Sequence, residues 1–191
     1  MIRVFIGVRI EPDVARKIAE AQIQLRDRIA GVRWVAEANY HFTLKFLGPV
    51  EENRIAQISG ALKEWVGHFS PFVVSARGIG VFPDIRKPRV LWVGLDSKSL
   101  EPLASKIEES MESVGFARES RSFKPHLTLG RWRDPAKQTD KLRNEIDPWK
   151  AKAFGDSDVK EVVLFQSTLK PAGAVYSELE MFALGARHGE N

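Results

Sequence analysis

Hydrophobic and polar residues alternate in two short segments of this chain, and each segment begins with a histidine. The segments are HFTLKFLG, which starts at residue 41, and HLTLGR, which starts at residue 126. A period of two is typical of a β-strand, in which successive side chains point to opposite faces. Each segment therefore predicts a strand that presents a histidine and a threonine on one face and apolar residues on the other.

The order of predicted elements around these two strands is the same in both halves of the chain. The first half predicts a strand over 3–10, a helix beginning at Pro12, the His41 strand, a helix over 51–66 and a strand over 71–78. The second half predicts a strand over 89–95, a helix over 99–114, the His126 strand, a helix near 135–147 and a strand over 158–166. A turn at 170–173 then leads into a returning strand over 175–183. The two histidines therefore occupy equivalent places in an internal repeat.

This duplicated pattern predicts an α+β protein with two pseudo-symmetric lobes. Each lobe would be a mostly antiparallel sheet with helices on its outer face, and the histidines would meet in an active-site groove between the lobes. We predict a single bilobal domain over residues 1–191, with lobe-like repeats over 1–80 and 89–168 and a C-terminal hairpin-like segment over 169–185.

The composition narrows the class of protein. A chain of 191 residues with 43% hydrophobic and 28% charged residues is globular and large enough to bury a sizeable core. The chain has no cysteine, which excludes disulfides, thiolate metal sites and a thiol nucleophile and suits a reducing compartment. The apolar run at the start is too short for a signal peptide, and no stretch reaches the length of a membrane span. We therefore expect a cytoplasmic monomer that does not bind membranes.

The net charge of +4 is modest, but the basic residues are unevenly distributed. Five of them surround His126, against the single acid Glu119: Arg118, Arg121, Lys124, Arg131 and Arg133. A basic segment that brackets a histidine favours an anionic partner over a merely solvated surface.

The histidine and threonine side chains indicate acid–base chemistry on an anion. Histidine titrates near neutral pH, so one imidazole can take a proton while the other gives one. Threonine hydroxyls can donate hydrogen bonds to anionic oxygens. A metal centre would need a third or fourth ligand that neither segment supplies, and no GxSxG motif supports a Ser-His-Asp triad. We therefore expect no metal and no other cofactor, and no chemical role for His68 or His188.

Residues that follow each histidine are placed by the same alternation. Lys45 is expected on the face of His41, and Arg131 on the face opposite His126, although at a strand end Arg131 could turn toward a phosphate. Four aromatic residues are expected in the core rather than as platforms for a base: Phe46, Trp92, Phe123 and Trp132.

The two HxTx segments resemble those of the 2H phosphoesterase superfamily. Further blocks are similar to the RNA 2′,3′-cyclic phosphodiesterases, first described as 2′–5′ RNA ligases: RVFIGV, VRWVAEANYHFTLKFLG, GVFPDIRKPRVLWVGL, RSFKPHLTLGR and LFQSTLKPAGAVYSEL. The resemblance covers nearly the whole chain, and both histidines and both threonines match.

The resemblance implies a hydrolase that opens an RNA 2′,3′-cyclic phosphate end to a 2′-phosphate end without a metal. It implies His41 as the proton donor and His126 as the proton acceptor. Thr43 and Thr128 would donate hydrogen bonds to the phosphate oxygens, and Arg131 is a further candidate for binding the substrate.

Two other functions fit the same residues. One is 2′–5′ RNA ligation in the same site, with a 5′ hydroxyl in place of water. The other is a non-catalytic module that binds RNA ends or nucleotides, against which the intact histidines and threonines argue. Small cyclic nucleotides are additional candidate substrates of the hydrolase.

Overall fold

Nine β-strands form one sheet in the computed structural model, which describes residues 1–133, 139–171 and 173–185. The strands are β1 (Ile2–Arg9), β2 (Val32–Trp34), β3 (His41–Val50), β4 (Phe72–Phe82), β5 (Val90–Asp96), β6 (His126–Trp132), β7 (Ala153–Val159), β8 (Glu161–Lys170) and β9 (Gly173–Ala183). The helices are α1 (Pro12–Arg26), α2 (Ile55–Val66), α3 (Leu100–Ser113) and α4 (Thr139–Ile146). Among the helices in these ranges, none is both long enough and apolar enough to cross a membrane.

The sheet has the order β7-β4-β5-β6-β3-β1-β8-β9, with β2 beside β6, and every neighbouring pair is antiparallel. The two histidine strands, β3 and β6, meet in the middle of this order through the pair Phe42–Leu127. The strands on either side of this junction correspond to one another. The predicted α+β fold with two pseudo-symmetric lobes is therefore confirmed, and the sheets of the lobes join edge to edge.

The last strand of each sequence repeat lies in the opposite half of the sheet. Strand β4 ends the first repeat but pairs with β5 of the second repeat. Strand β8 belongs to the second repeat but pairs with β1 of the first. Each half of the sheet thus combines strands from both repeats, so the surroundings of each histidine come from distant parts of the chain.

All four helices contribute to one hydrophobic core on a single face of the sheet. In α1, for example, Val14, Ile18 and Leu25 are buried at helical spacing. The opposite face carries a second, smaller cluster formed by Phe5, Val163 and Phe165, with Tyr176 packed against it. We call this second face, on which none of the four described helices packs, the site face.

The predicted single strand over 158–166 is wrong, because two strands, β7 and β8, occupy this part of the chain. Strand β7 was hidden by its polar sequence AFGDSDV, in which only every second or third residue is buried. The predicted return strand is present, since β9 pairs with β8 from Lys170–Gly173 onward. The predicted start of the helix near 135–147, the turn residue Ala172 and His188 lie outside the described residues.

Candidate active site

His41 and His126 begin the two central strands and lie on the same face of the sheet. Phe42 and Leu127, which follow them, pair with each other and are buried in the core. Because side chains alternate along a strand, both histidines lie on the site face, each with a threonine two residues later. Because β3 and β6 are antiparallel and Phe42 pairs with Leu127, the histidine of each strand lies across from the threonine of the other strand. The structure therefore places the predicted catalytic and binding residues at one locus.

Both imidazoles are oriented by the same hydrogen bond. Nδ1 of His41 lies 2.7 Å from the carbonyl oxygen of Asn39, and Nδ1 of His126 lies 2.6 Å from that of Lys124. A carbonyl oxygen can only accept, so Nδ1 carries a proton in each ring and Nε2 is the atom available for proton transfer. Nε2 of His41 lies 3.2 Å from Oγ1 of Thr43, whose hydroxyl donates to it when the ring is neutral.

The His41 ring is enclosed by aromatic side chains of the small cluster. Its centroid lies 4.8 Å from that of Phe5, 5.9 Å from Phe165 and 4.9 Å from Tyr176, which meets it edge-on. Burial among these rings disfavours the charged imidazolium and lowers the pKa of His41 to about 4, with smaller contributions from the positive charges of Arg9 and Arg131. His41 is therefore neutral at pH 7 in the free protein.

The His126 ring is less enclosed by aromatic side chains. Phe82 meets the His126 ring edge-on at 5.1 Å, and the ammonium of Lys124 lies 5.6 Å from the centroid of the same Phe82 ring. Burial, followed by the charge of Arg131, lowers the pKa of His126 below its ordinary value. This imidazole is also favoured in its neutral form.

Each histidine strand contains a β-bulge at the same position, and the bulge reverses the alternation of side chains. In β3, Thr43 pairs with Gly7 and Lys45 pairs with the adjacent residue Ile6, so Leu44 is an extra residue without a partner. An extra residue moves every later side chain to the other face of the sheet.

The bulge in β6 brings Arg131 to the site face. Thr128 pairs with Trp92 and Gly130 pairs with Leu91, which leaves Leu129 as the extra residue. The expectation that regular alternation places Arg131 opposite His126 is therefore wrong. From there its charge contributes, after the larger effect of burial, to the lowered pKa values of both histidines.

The bulge in β3 also overturns two expectations about the residues after His41. Lys45 does not share the face of His41: its side chain is 3% exposed on the helix side, forms an ion pair with Glu108 and donates to the carbonyl of Ala117 at 2.9 Å. Phe46 is not in the core, because 67% of it is exposed. Its ring lies 6.0 Å from that of Phe5, on the site face.

Trp92 is not in the core, because it pairs with Thr128 on the site face and its ring lies 4.9 Å from that of Phe82. Phe123 packs against the core, as expected.

The other predicted residues lie away from this locus or in its walls. Trp132 is buried, as expected, and donates from its indole to the carbonyl of Ala30. His68 lies just after α2, beside Trp65. Tyr176 forms a wall of the His41 site that spacing did not reveal, although it lies in the block LFQSTLKPAGAVYSEL. Within the described ranges, no three histidine, aspartate or glutamate side chains are grouped so as to hold a metal ion.

Comparison with known families gives a match over both repeats. The model of the LigT-like phosphoesterase family matches residues 8–92 and again 93–176. A protein of Methanothermobacter thermautotrophicus named RNA 2′,3′-cyclic phosphodiesterase is 34% identical over 184 residues, which are 96% of this chain and 99% of the relative. A protein of Aquifex aeolicus with the same name is 30% identical over 188 residues, which are 97% of this chain and 98% of the relative.

Solved structures share the fold. A crystal structure of a Thermus thermophilus protein superimposes with a TM-score of 0.83 at 28% identity, covering 97% of this chain and 100% of the other. The crystal structure of E. coli LigT complexed with 3′-AMP gives a TM-score of 0.78 at 23% identity, covering 96% of this chain and 98% of the other. At that lower identity the likeness concerns the fold.

Proposed function

The chain belongs to the LigT-like phosphoesterase family, and from this premise we propose that it hydrolyses RNA 2′,3′-cyclic phosphate ends to 2′-phosphate ends. One observation carries the proposal: two imidazoles, each held at Nδ1 by a backbone carbonyl, and two threonine hydroxyls lie together on the site face, on adjacent strands. The shared name of the relatives, which cover nearly the whole chain, supports the substrate. The cysteine-free composition supports a cytoplasmic location.

The proposed reaction needs one proton acceptor and one proton donor on opposite sides of the phosphorus. Nε2 of His126 takes a proton from the attacking water as the new P–O bond forms. Nε2 of His41 gives a proton to the ribose 3′ oxygen as the P–O3′ bond breaks. The products are a 2′-phosphate and a 3′ hydroxyl, and proton exchange with solvent restores both rings. Residues on two separate strands suit this in-line geometry.

The hydroxyls and the nearby cation would stabilise the charge that grows on the phosphate. Thr43 and Thr128 donate hydrogen bonds to the non-bridging oxygens, and Arg131 contributes a positive charge that acts on both histidines. Such fixed donors can stabilise the negative charge on the phosphate, as a metal ion does in other phosphodiesterases. We therefore propose a reaction that is independent of metal.

The low pKa of His41 sets a condition on its role as the donor. With a pKa of about 4, His41 is unprotonated near neutral pH in the free protein. A bound cyclic phosphate brings a negative charge next to the ring, which favours the imidazolium and raises the pKa. Binding of the substrate is therefore accompanied by uptake of the proton that the donor later gives to the 3′ oxygen.

The proposal is tested with an oligoribonucleotide that ends in a 2′,3′-cyclic phosphate. We expect the wild-type protein to convert it to a product with a 2′-phosphate, at the same rate in the presence of EDTA. A 3′-phosphate product would contradict the assigned leaving group. Loss of activity with EDTA and its recovery with a divalent metal would contradict the metal-independent mechanism.

The same geometry supports ligation as a second candidate, because the reverse of a similar step joins a 5′ hydroxyl to the cyclic phosphate. RNA halves with a cyclic phosphate and a 5′ hydroxyl should then give a joined product containing a 2′–5′ bond. Tight binding of cyclic-phosphate ends without any turnover would instead favour a binding module.

A further inference from the structure

The site face continues beyond the histidines through a row of residues on four neighbouring strands. Arg131 of β6 pairs with Arg33 of β2 on one side and with Val90 of β5 on the other, and Val90 pairs with Phe82 of β4. Residues directly opposite each other in antiparallel strands present their side chains on the same face. Since Phe82 contacts the His126 ring, this whole row belongs to the site face.

Burial agrees with this placement of Arg33. Its neighbours Val32 and Trp34 pack against the core on the helix face, so the side chain between them points to the site face. Arg33 and Arg131 are both exposed there. Arg33 thus extends the positive charge of Arg131 one strand further from the catalytic pair.

Two arginines directly opposite each other need an explanation, because like charges in this position destabilise a sheet. Within the described ranges neither Arg33 nor Arg131 forms an ion pair, whereas other arginines of the chain do. Arg9, for example, pairs with Glu178 and Arg118 with Glu112. A bound anion removes the repulsion, and the planar guanidinium fork is suited to phosphate oxygens.

We propose that Arg33, one strand beyond Arg131, forms a second phosphate site, which binds the phosphodiester immediately upstream of the cyclic phosphate. The inference rests on the proposed function, and it makes the protein selective for RNA ends over single cyclic nucleotides. Arg131 lies close enough to the histidines to act on both, and Arg33 lies beyond it. Arg131 therefore lies near the reacting phosphate, and Arg33 lies where the next phosphate of the RNA strand would be bound.

The test compares two substrates, an oligoribonucleotide ending in a 2′,3′-cyclic phosphate and a mononucleoside 2′,3′-cyclic phosphate without an upstream phosphate. We expect Arg33→Ala to lower the ratio of their kcat/KM values roughly tenfold, through KM for the oligonucleotide, because one charged hydrogen-bonding contact is lost. The dependence of log KM on log salt concentration for the oligonucleotide should become shallower by about 0.7, the value for one contact with a single strand.

Arg16→Ala is the matched control, since it removes the same charge from an exposed position of α1 on the helix face. It should leave the ratio and the salt dependence at their wild-type values. Arg33→Lys, which keeps the charge but not the fork, should give an intermediate ratio. Thermal unfolding of Arg33→Ala should show no loss of stability, because the variant removes a repulsive pair.

An unchanged ratio in Arg33→Ala, or an equal change in Arg16→Ala, would overturn the second phosphate site. So would equal losses on both substrates, which would place Arg33 at the reacting phosphate or in the fold. Failure of the proposed function looks different, because the wild-type protein would then hydrolyse neither substrate.

Discussion

The half of the site around His41 and the half around His126 share their local geometry but differ in their surroundings. Both imidazoles donate from Nδ1 to the carbonyl two residues earlier, and both strands contain the same bulge. His41, however, lies among the rings of Phe5, Phe165 and Tyr176, whereas in the described part of the chain the ring that meets His126 is that of Phe82. A duplicated motif therefore supplies two imidazoles in the same local geometry, and their neighbours give them unequal surroundings.

The difference originates in the strands that cross between the repeats. Phe165 of β8 and Tyr176 of β9 enclose His41, and Phe82 of β4 borders His126. Strands β4 and β8 occupy corresponding positions in the sheet but place different residues beside the two histidines. The exchange of strands thus gives each imidazole its own environment, as the proposed reaction with one donor and one acceptor requires.

Removal of either imidazole should lower the rate of hydrolysis more than any other substitution discussed below. We expect His41→Ala and His126→Ala each to lower kcat about 10²- to 10⁴-fold on a cyclic-phosphate oligonucleotide, because general acid or base catalysis is lost. Steady-state kinetics checks this, with His68→Ala as a control of wild-type activity. Full activity in either site variant would contradict the mechanism.

The same variants sharpen the assignment of donor and acceptor. A phosphodiester with a nitrophenolate leaving group needs no proton on the departing oxygen. On this substrate the rate of His41→Ala should therefore approach that of the wild-type protein. His126→Ala should stay slow on this substrate, since the water must still be deprotonated. The opposite pattern would exchange the two roles.

The ion pair between Lys45 and Glu108 should contribute to the stability of the fold. It belongs to the His41 half, since Gly130 stands at the corresponding position after His126. Glu108→Ala leaves the buried ammonium of Lys45 without its carboxylate and should lower the free energy of unfolding by about 3 kcal/mol. Denaturant unfolding measures this change. Glu109→Ala removes the partner of Lys106 in an exposed pair and should leave the midpoint unchanged. Equal midpoints for the two variants would show that the Lys45 pair does not stabilise the fold.

The two threonines allow a direct comparison of the halves. Thr43→Val and Thr128→Val keep the shape of the side chain but remove a donor to the phosphate, and each should lower kcat about 10²-fold. Single-turnover hydrolysis separates this loss from weaker binding. A loss confined to one variant would mean that only that half of the site contacts the phosphate oxygens.

The pH dependence tests the difference in burial. The proposed reaction needs the two histidines to share one proton. Below the His41 pKa of about 4 both imidazoles are protonated, so kcat/KM should rise as the pH increases through this value. Above the pKa of His126, which is lower than usual, both are neutral, so kcat/KM should fall and the maximum should lie in mildly acidic solution. Tyr176→Ala exposes His41 to water and favours its charged form, so the acid limb should move to higher pH by about one unit. NMR titration of the imidazole assigns the change, and an unmoved limb would show that Tyr176 does not desolvate His41.

Much of the fold followed from local spacing in the sequence. The two histidine strands, the amphipathic helices and the duplicated order were all predicted, because alternation and helical periodicity depend on neighbouring residues. The combined strand over 158–166 was wrong because Asp156 and Asp158 gave β7 no clear apolar alternation. The faces of Lys45, Phe46 and Arg131 were wrong because the bulges depend on pairing with β1 and β5.

The sequence by itself determined the chemical groups of the site: two histidines and two threonines in matched strands, which define what protons and hydrogen bonds are available. Only the tertiary structure decided how those groups behave. The pKa of His41 depends on Phe165 and Tyr176, which pack against it from the other end of the chain. The face of Arg131 depends on a bulge. Desolvation and cross-strand pairing are set by residues distant in sequence, which local spacing cannot reveal.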